Sequence, residues 1–287
     1  MPPTPFPELN QVLDQLVARL RRILAEDLVG VYLQGSFALD GFDQHSDVDF
    51  IVVVEDELSS AQVDALQAMH EQVYGLESEW SVHLEGSYVP REILRNPARV
   101  GEALWYLDHG ARTLVRSDHC NRLHVRWIVR QEGVVLAGPS PRSLIDPLPE
   151  EALREEAFQT IVDWGRSILA DPAPWRNRFY QGFIVLNYCR LLHDLRRGHP
   201  GSKREGAAWA KSALDPAWAD LIDRAWDTRP DPAWQVRQPP DPDDFERTLR
   251  FVEHVMRESE VFVSGCKEGV PRRPGDGDRQ SGSDESG

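Results

Sequence analysis

A chain of 287 residues, 41% hydrophobic and 28% charged, is long enough for one large globular domain or two of ordinary size. Its formal charge of −15 excludes the broad basic surface that nucleic acids or anionic membranes require. Three cysteines, Cys120, Cys189 and Cys266, are too few and too scattered for a disulfide scaffold or a zinc site, and no apolar run approaches a membrane span.

The opening M-P-P-T-P-F-P lacks the charged and apolar regions of a secretory signal, so a cytoplasmic protein is expected. Residues 8–27 read as an amphipathic helix, with Leu9, Val12, Leu13, Leu16, Val17, Leu20, Ile23 and Leu24 at spacings of three and four. A strand over 29–34 follows and delivers Gly35-Ser36. Residues 36–41 are expected to form a short helix. The turn Gly41-Phe42-Asp43-Gln44-His45 leads to Ser46-Asp47-Val48-Asp49 and a second strand over 48–54. A helix over 59–74 carries Val63, Leu66, Met69 and Val73 on one face, with Ser59-Ser60 as its cap. Residues 79–90 alternate weakly, are rich in strand formers and stop at Pro90.

The spacing of residues 31–54 points to chemistry. Side chains alternate along a strand, so Asp47 and Asp49 point the same way. Two adjacent carboxylates repel unless a cation lies between them, and a hard cation such as Mg²⁺ takes oxygen ligands and brings nucleotide phosphates with it. Gly35 allows close backbone approach, and Ser36 offers a hydroxyl and a free N–H to a phosphate. The pattern implies a metal-dependent phosphoryl or nucleotidyl transferase. A third acid must complete the site, as metal ligand or as base. Glu79 and Glu85 share a face of the expected third strand with Ser81 and His83, so parity does not decide. Glu85, at the core end of the strand, is favoured over Glu79, and His83 is the runner-up base.

The pattern changes after Arg91. The first domain is assigned to 1–110, and 111–149 is read as a connecting segment containing two short apolar stretches. Residues 150–263 form an α-helical second domain, with patches at 150–196, 206–226 and 243–263 and a proline-rich loop at 229–242. Residues 264–287 have almost no apolar content and are expected to be disordered. The fold class is α+β, a small mixed sheet followed by a helical domain. Arg190, in V-L-N-Y-C-R-L-L, and Lys203, at a loop-to-helix junction, are basic residues in apolar or small surroundings that a triphosphate would satisfy.

Taken together these residues resemble the nucleotidyltransferase superfamily, and more closely the streptomycin/spectinomycin 3″-adenylyltransferase family. G-S…S-D-V-D-F is similar to the superfamily signature, L-E-G-S-Y-V to the strand bearing the catalytic glutamate, and L-A-G-P, D-P-L-P-E-E-A-L and V-L-N-Y-C-R-L-L…K-R-E-G-A-A-W-A to the second domain. The resemblance implies that Asp47 and Asp49, with Glu85, hold two Mg²⁺ ions. It implies that Gly35, Ser36, Ser46, Arg190 and Lys203 bind ATP, and that Glu85 accepts the proton of a hydroxyl. The expected partners are ATP and a small hydroxyl-bearing acceptor, with no nucleic acid or membrane, and the chain is expected to be a monomer.

The acceptor side departs from the family. Where acids are expected this chain aligns Arg176 and Tyr180, with Arg178 beside them, and Trp105 is a further candidate to stack on an acceptor. Positive charge there would repel a cationic drug, so weak transfer to streptomycin is expected. Two alternatives stay open: a protein-modifying nucleotidyltransferase such as an antitoxin, and a nucleotide-binding sensor without turnover.

Overall fold

The computed structural model describes residues 2–43, 46–229 and 236–268. Helix α1 (Pro7–Leu24) buries Leu9, Val12, Leu13, Leu16, Val17, Leu20 and Leu24, the stripe that its sequence spacing predicts, and a 3₁₀ turn at Ala25–Asp27 ends it. Strand β1 (Leu28–Leu33) runs into α2 (Gly35–Ala38), one residue ahead of its expected start, and β2 (Val48–Val54) follows with the expected bounds. In α3 (Ser60–Tyr74), Ser59 and Gln62 form a reciprocal cap that satisfies two otherwise orphaned backbone donors.

The third strand is shorter than expected. Glu79–Val82 forms a 3₁₀ turn, and β3 covers Leu84–Pro90 only. Glu79 therefore shares no strand face with Glu85. Strands β4 (Leu104–Leu107), β5 (Leu114–Ser117) and β6 (Val134–Ala137) complete a six-stranded mixed sheet in the order β5-β4-β3-β2-β1-β6, in which only β2 and β3 are parallel. The stretch read as a connector thus supplies two strands of this sheet, with α5 (Leu123–Glu132) between them. The short α4 (Arg91–Arg95) follows β3.

The sheet separates two apolar layers. One holds α1, α3 and the faces of β1–β3 around Leu16, Phe50 and Tyr88; the other holds Tyr32, Ile51, Val53, Ile93 and Val129. A separate core lies among α6 (Glu150–Ala170), α7 (Arg178–Arg197), α8 (Lys203–Ala213), α9 (Ala219–Asp227) and α10 (Pro242–Glu268). Helix α10 continues five residues into the stretch expected to be disordered. The remainder, 269–287, like Gln44 and His45 of the turn and 230–235 of the proline-rich loop, lies outside the described residues.

The two cores are joined at defined points. Glu156 of α6 accepts hydrogen bonds from the backbone N–H of Leu123 (2.7 Å) and His124 (2.8 Å), and it also bonds the His124 ring. A carboxylate on the otherwise unpaired N–H groups that open α5 is favoured by the helix dipole; burial opposes ionisation, but these bonds and the His124 ring hold the Glu156 pKa below the ordinary carboxylate range. Gly41 lies against Ser202, and a Cβ at Gly41 would stand 2.6 Å from that of Ser202. Among the described residues no helix is long and apolar enough to cross a membrane.

Candidate active site

Strand register brings the acids together. In the parallel pair β2/β3, Asp49 lies opposite Glu85, and Asp47 precedes β2 by one residue on the same face as Asp49. Three carboxylates thus converge at one end of the sheet. Gly35 makes room for them. Its φ is +58°, and a Cβ there would collide with Asp49 Oδ2. Two causes of one sign act on Asp49. Burial first, then the charges of Glu85 and Asp47, push its pKa up to about 7. Burial also raises Asp47, partly offset by His109.

Glu85 goes the other way. Burial disfavours its charge, but hydrogen bonds from His119 and Tyr106 outweigh that and hold it below the ordinary carboxylate range. His119 Nε2 lies 3.2 Å and the Tyr106 hydroxyl 2.7 Å from Glu85 Oε1. Both partners sit on Oε1, which leaves Oε2 for a substrate. The Glu85 side chain is only 12% exposed, so packing restricts its rotation. Tyr106 reaches Glu85 because it is opposite Ser87 in the β3/β4 register and Ser87 shares Glu85's face.

The facing wall of the cleft belongs to the helical region. Arg190 of α7 and Lys203, first residue of α8, line the same cleft as Asp47 and Asp49. Their helices pack closely because of Gly206, where a Cβ would stand 2.5 Å from Arg190 Cα. Ser202 and Glu205 cap α8 reciprocally, and Asp194 accepts from Gly201 N–H at 2.8 Å, so the turn carrying Lys203 is fixed at both ends. Burial, then the charge of Arg190, lowers the Lys203 pKa, while Asp47 and Asp49 oppose this. Ser36, Ser46 and Gly35 complete this end of the cleft. Ser46 Oγ accepts from Asp43 N–H at 2.9 Å, whereas Ser36 Oγ and Arg190 Nε are buried without a hydrogen-bond partner among the described residues. Buried polar atoms without partners are costly, and a bound phosphate oxygen would satisfy a hydroxyl and a guanidinium together.

The donor set also fits a hard divalent cation. Its atoms are all carboxylate oxygens, and burial together with the charges of Glu85 and Asp47, only partly offset by Lys203 and His119, disfavours the ionised form of Asp49, a cost that a cation among the three would relieve.

The acceptor candidates are not in the cleft. Trp105 is on β4, packed against the sheet's core, with the Arg116 guanidinium 5.4 Å from its ring. Tyr180 packs edge-on against Trp175 at 4.9 Å, and the exposed Arg176 lies over Phe245 at 5.5 Å. Arg178 opens α7 and is exposed, while Phe179 and Phe183 turn toward the cleft. Along α7 the cleft-lining residues recur at 179, 182, 183, 186 and 190, a stripe that leaves Tyr180 outside, while Arg176 precedes the helix and does not line this cleft.

Four contributors were not legible from sequence. Tyr106, His109 and His119 come from strands and loops that lacked a clear period, and Arg229 sits in the proline-rich stretch. Arg229 lines the cleft, pairs with Asp43 and stacks 3.9 Å over the Trp226 ring. The pairs Asp108-His109 and Asp118-His119 were the only available signal.

The comparisons agree with this geometry. Residues 13–106 match the model of the nucleotidyltransferase domain, and residues 143–255 that of the aminoglycoside adenylyltransferase C-terminal domain. The chain is 25% identical over 226 residues to aminoglycoside (3'') (9) adenylyltransferases of Shigella flexneri and Escherichia coli, covering 75% of this chain and 83% and 82% of those proteins. Its fold matches that of the spectinomycin adenyltransferase AAD(9) from Enterococcus faecialis, whose structure contains ATP and spectinomycin. The TM-score is 0.63 at 14% identity, over 86% of this chain and 98% of that one. One model matches the sheet and the other the helices, so the chain carries a nucleotidyltransferase domain followed by a domain of the aminoglycoside adenylyltransferase C-terminal type.

Proposed function

We propose that this enzyme transfers AMP from ATP, bound with Mg²⁺, to a hydroxyl of an aminocyclitol or aminoglycoside in the cleft between sheet and helices. One observation carries the reading. Asp47 and Asp49, the latter paired in register with Glu85, face Arg190 and Lys203 across a single cleft. Cations on one wall suit a triphosphate, and carboxylates on the other suit a cationic acceptor.

Arg190, Lys203 and Ser36 bind the phosphates and hold the α-phosphorus near the acids. Asp47 and Asp49, with Glu85, would hold Mg²⁺, which when bound supplies neutralisation of the triphosphate charge. Glu85 Oε2 accepts the proton of the acceptor hydroxyl. The hydroxyl oxygen bonds to the α-phosphorus as the α–β bridging P–O bond breaks, and pyrophosphate leaves with that electron pair. His119 and Tyr106 keep Glu85 ionised and fix its orientation, so the base is ready before the acceptor arrives. The match of the helical part to an aminoglycoside adenylyltransferase domain supports a small-molecule acceptor over a protein side chain.

Pyrophosphate release from MgATP tests this directly. Release is expected with spectinomycin or streptomycin and not without an acceptor. Release independent of any acceptor, or none with either compound, would overturn the reading.

A further inference from the structure

The sheet end that gathers the acids also gathers two imidazoles. Because β2 and β3 are parallel and β4 runs antiparallel to β3, the start of β2, the start of β3 and the end of β4 meet at one edge. Asp47 precedes β2, His83 precedes β3 and His109 follows β4. His83 Nδ1 lies 2.9 Å from His109 Nε2, and the two rings lie end to end, 5.2 Å apart between centroids with their planes within 14°. That same His109 Nε2 is 3.2 Å from Asp47 Oδ1. The three candidate donor atoms all lie within 4.8 Å of one another.

We propose that Asp47, His83 and His109 form a binding site for a borderline divalent cation of the zinc type, separate in donor chemistry from the all-oxygen Asp47–Asp49–Glu85 set. Ligands about 2.1 Å from a tetrahedral zinc stand about 3.4 Å apart; the 3.2 Å separation is near this, and the imidazole nitrogens, 2.9 Å apart and facing each other, would part slightly and turn toward a shared ion. Two imidazole nitrogens and one carboxylate select zinc over magnesium, which prefers oxygen. Without a cation, His83 Nδ1 and Asp47 Oδ1 both depend on His109 Nε2 as their shared partner, in a hydrogen-bond pattern set by the imidazole tautomers. A cation among the three atoms satisfies all of them at once. The site is reachable, since the Asp47 side chain is 43% and that of His109 30% exposed. The three protein ligands leave a fourth position open to water.

Asp47 cannot serve both cations fully, so zinc is expected to oppose magnesium-dependent transfer. That consequence rests on the proposed function, but the binding itself does not.

The test is titration of ZnCl₂ into the untagged, full-length protein without nucleotide, followed by calorimetry, with Co²⁺ uptake read by visible absorption as a second probe. One equivalent of zinc and a tetrahedral Co²⁺ spectrum are expected. His83→Gln and His109→Gln should each weaken zinc binding by about 10–100-fold or more, since losing a ligand costs at least as much as losing its outer partner. His199→Gln should leave it unchanged, and far-UV circular dichroism verifies that each variant is folded. Absence of zinc binding, an octahedral Co²⁺ spectrum in the unaltered protein, or zinc binding indifferent to both His83→Gln and His109→Gln would overturn the proposal. Absence of AMP transfer with zinc binding intact would count against the enzymatic reading alone.

Discussion

Glu85 and Glu79 illustrate how far single residues could be read from the chain. Alternation alone left the two equivalent, because the 3₁₀ turn at Glu79–Val82 has no signal in a stretch of strand-forming residues. Register separates them: Glu85 lies opposite Asp49, and Glu79 is off the sheet. Glu85→Gln is expected to bind ATP but lose transfer by about 10²–10⁴-fold, the usual contribution of a general base. Glu79→Gln should change turnover little, and the reverse ranking in steady-state kinetics would displace Glu85. Asp49 was expected from the sequence to be a metal ligand, but its strained electrostatics were not legible there. Burial and like charges disfavour its ionised form. Asp49→Asn should therefore raise the thermal midpoint of the metal-free protein at pH 8 while activity falls by orders of magnitude. A lowered midpoint in differential scanning calorimetry would contradict that electrostatic assignment.

At the level of elements, long periodic segments were legible and short non-local strands were not. Helix α1 and strand β2 carry unambiguous patterns. Strands β4, β5 and β6 each have four residues, too few for a period, and β6 finds its partner β1 about a hundred residues back. Only tertiary pairing defines them. Two element contacts have measurable consequences. In the first, α7 and α8 meet at Gly206, and a Cβ there meets the backbone of Arg190. Gly206→Ala should cost about 1–3 kcal/mol by overpacking and raise KM for ATP as Arg190 shifts from Lys203. An unchanged KM would show that the spacing of these helices does not set nucleotide affinity. The second contact joins α3 to β3, where the buried His70 Nε2 lies 2.6 Å from the Tyr88 hydroxyl. Burial lowers the His70 pKa from 6.5 to about 4. The unfolded chain then takes up the proton first, so the stability is fully present above pH 6.5 and is lost as pH falls toward 4. The loss amounts to at most about 3 kcal/mol. Wild type should lose stability relative to His70→Gln across that window in denaturant titrations. A constant difference between the two would remove His70 as the source.

For the molecule as a whole, two cores face each other across a charged cleft, and neither half holds a complete site. The sheet contributes the acids and the helices contribute Arg190 and Lys203. Glu156 of α6, bonded to the first N–H groups of α5, and Gly41 against Ser202 hold the halves in register. The division into a sheet and a helical part was visible from the change in pattern, but the sheet reaches to Ala137, beyond the expected boundary at 110. On the acceptor side, Arg176 and Tyr180 were expected from alignment, whereas the residues of α7 that line the cleft are Phe179, Gly182, Phe183, Leu186 and Arg190. The most direct measurement is the mass of spectinomycin and streptomycin after incubation with MgATP and either wild type or Glu85→Gln. Wild type is expected to convert at least one of them to a product carrying one AMP, and Glu85→Gln to leave both nearly unmodified while still binding ATP. An unmodified acceptor with the wild-type enzyme, or equal conversion by Glu85→Gln, would contradict AMP transfer through this carboxylate.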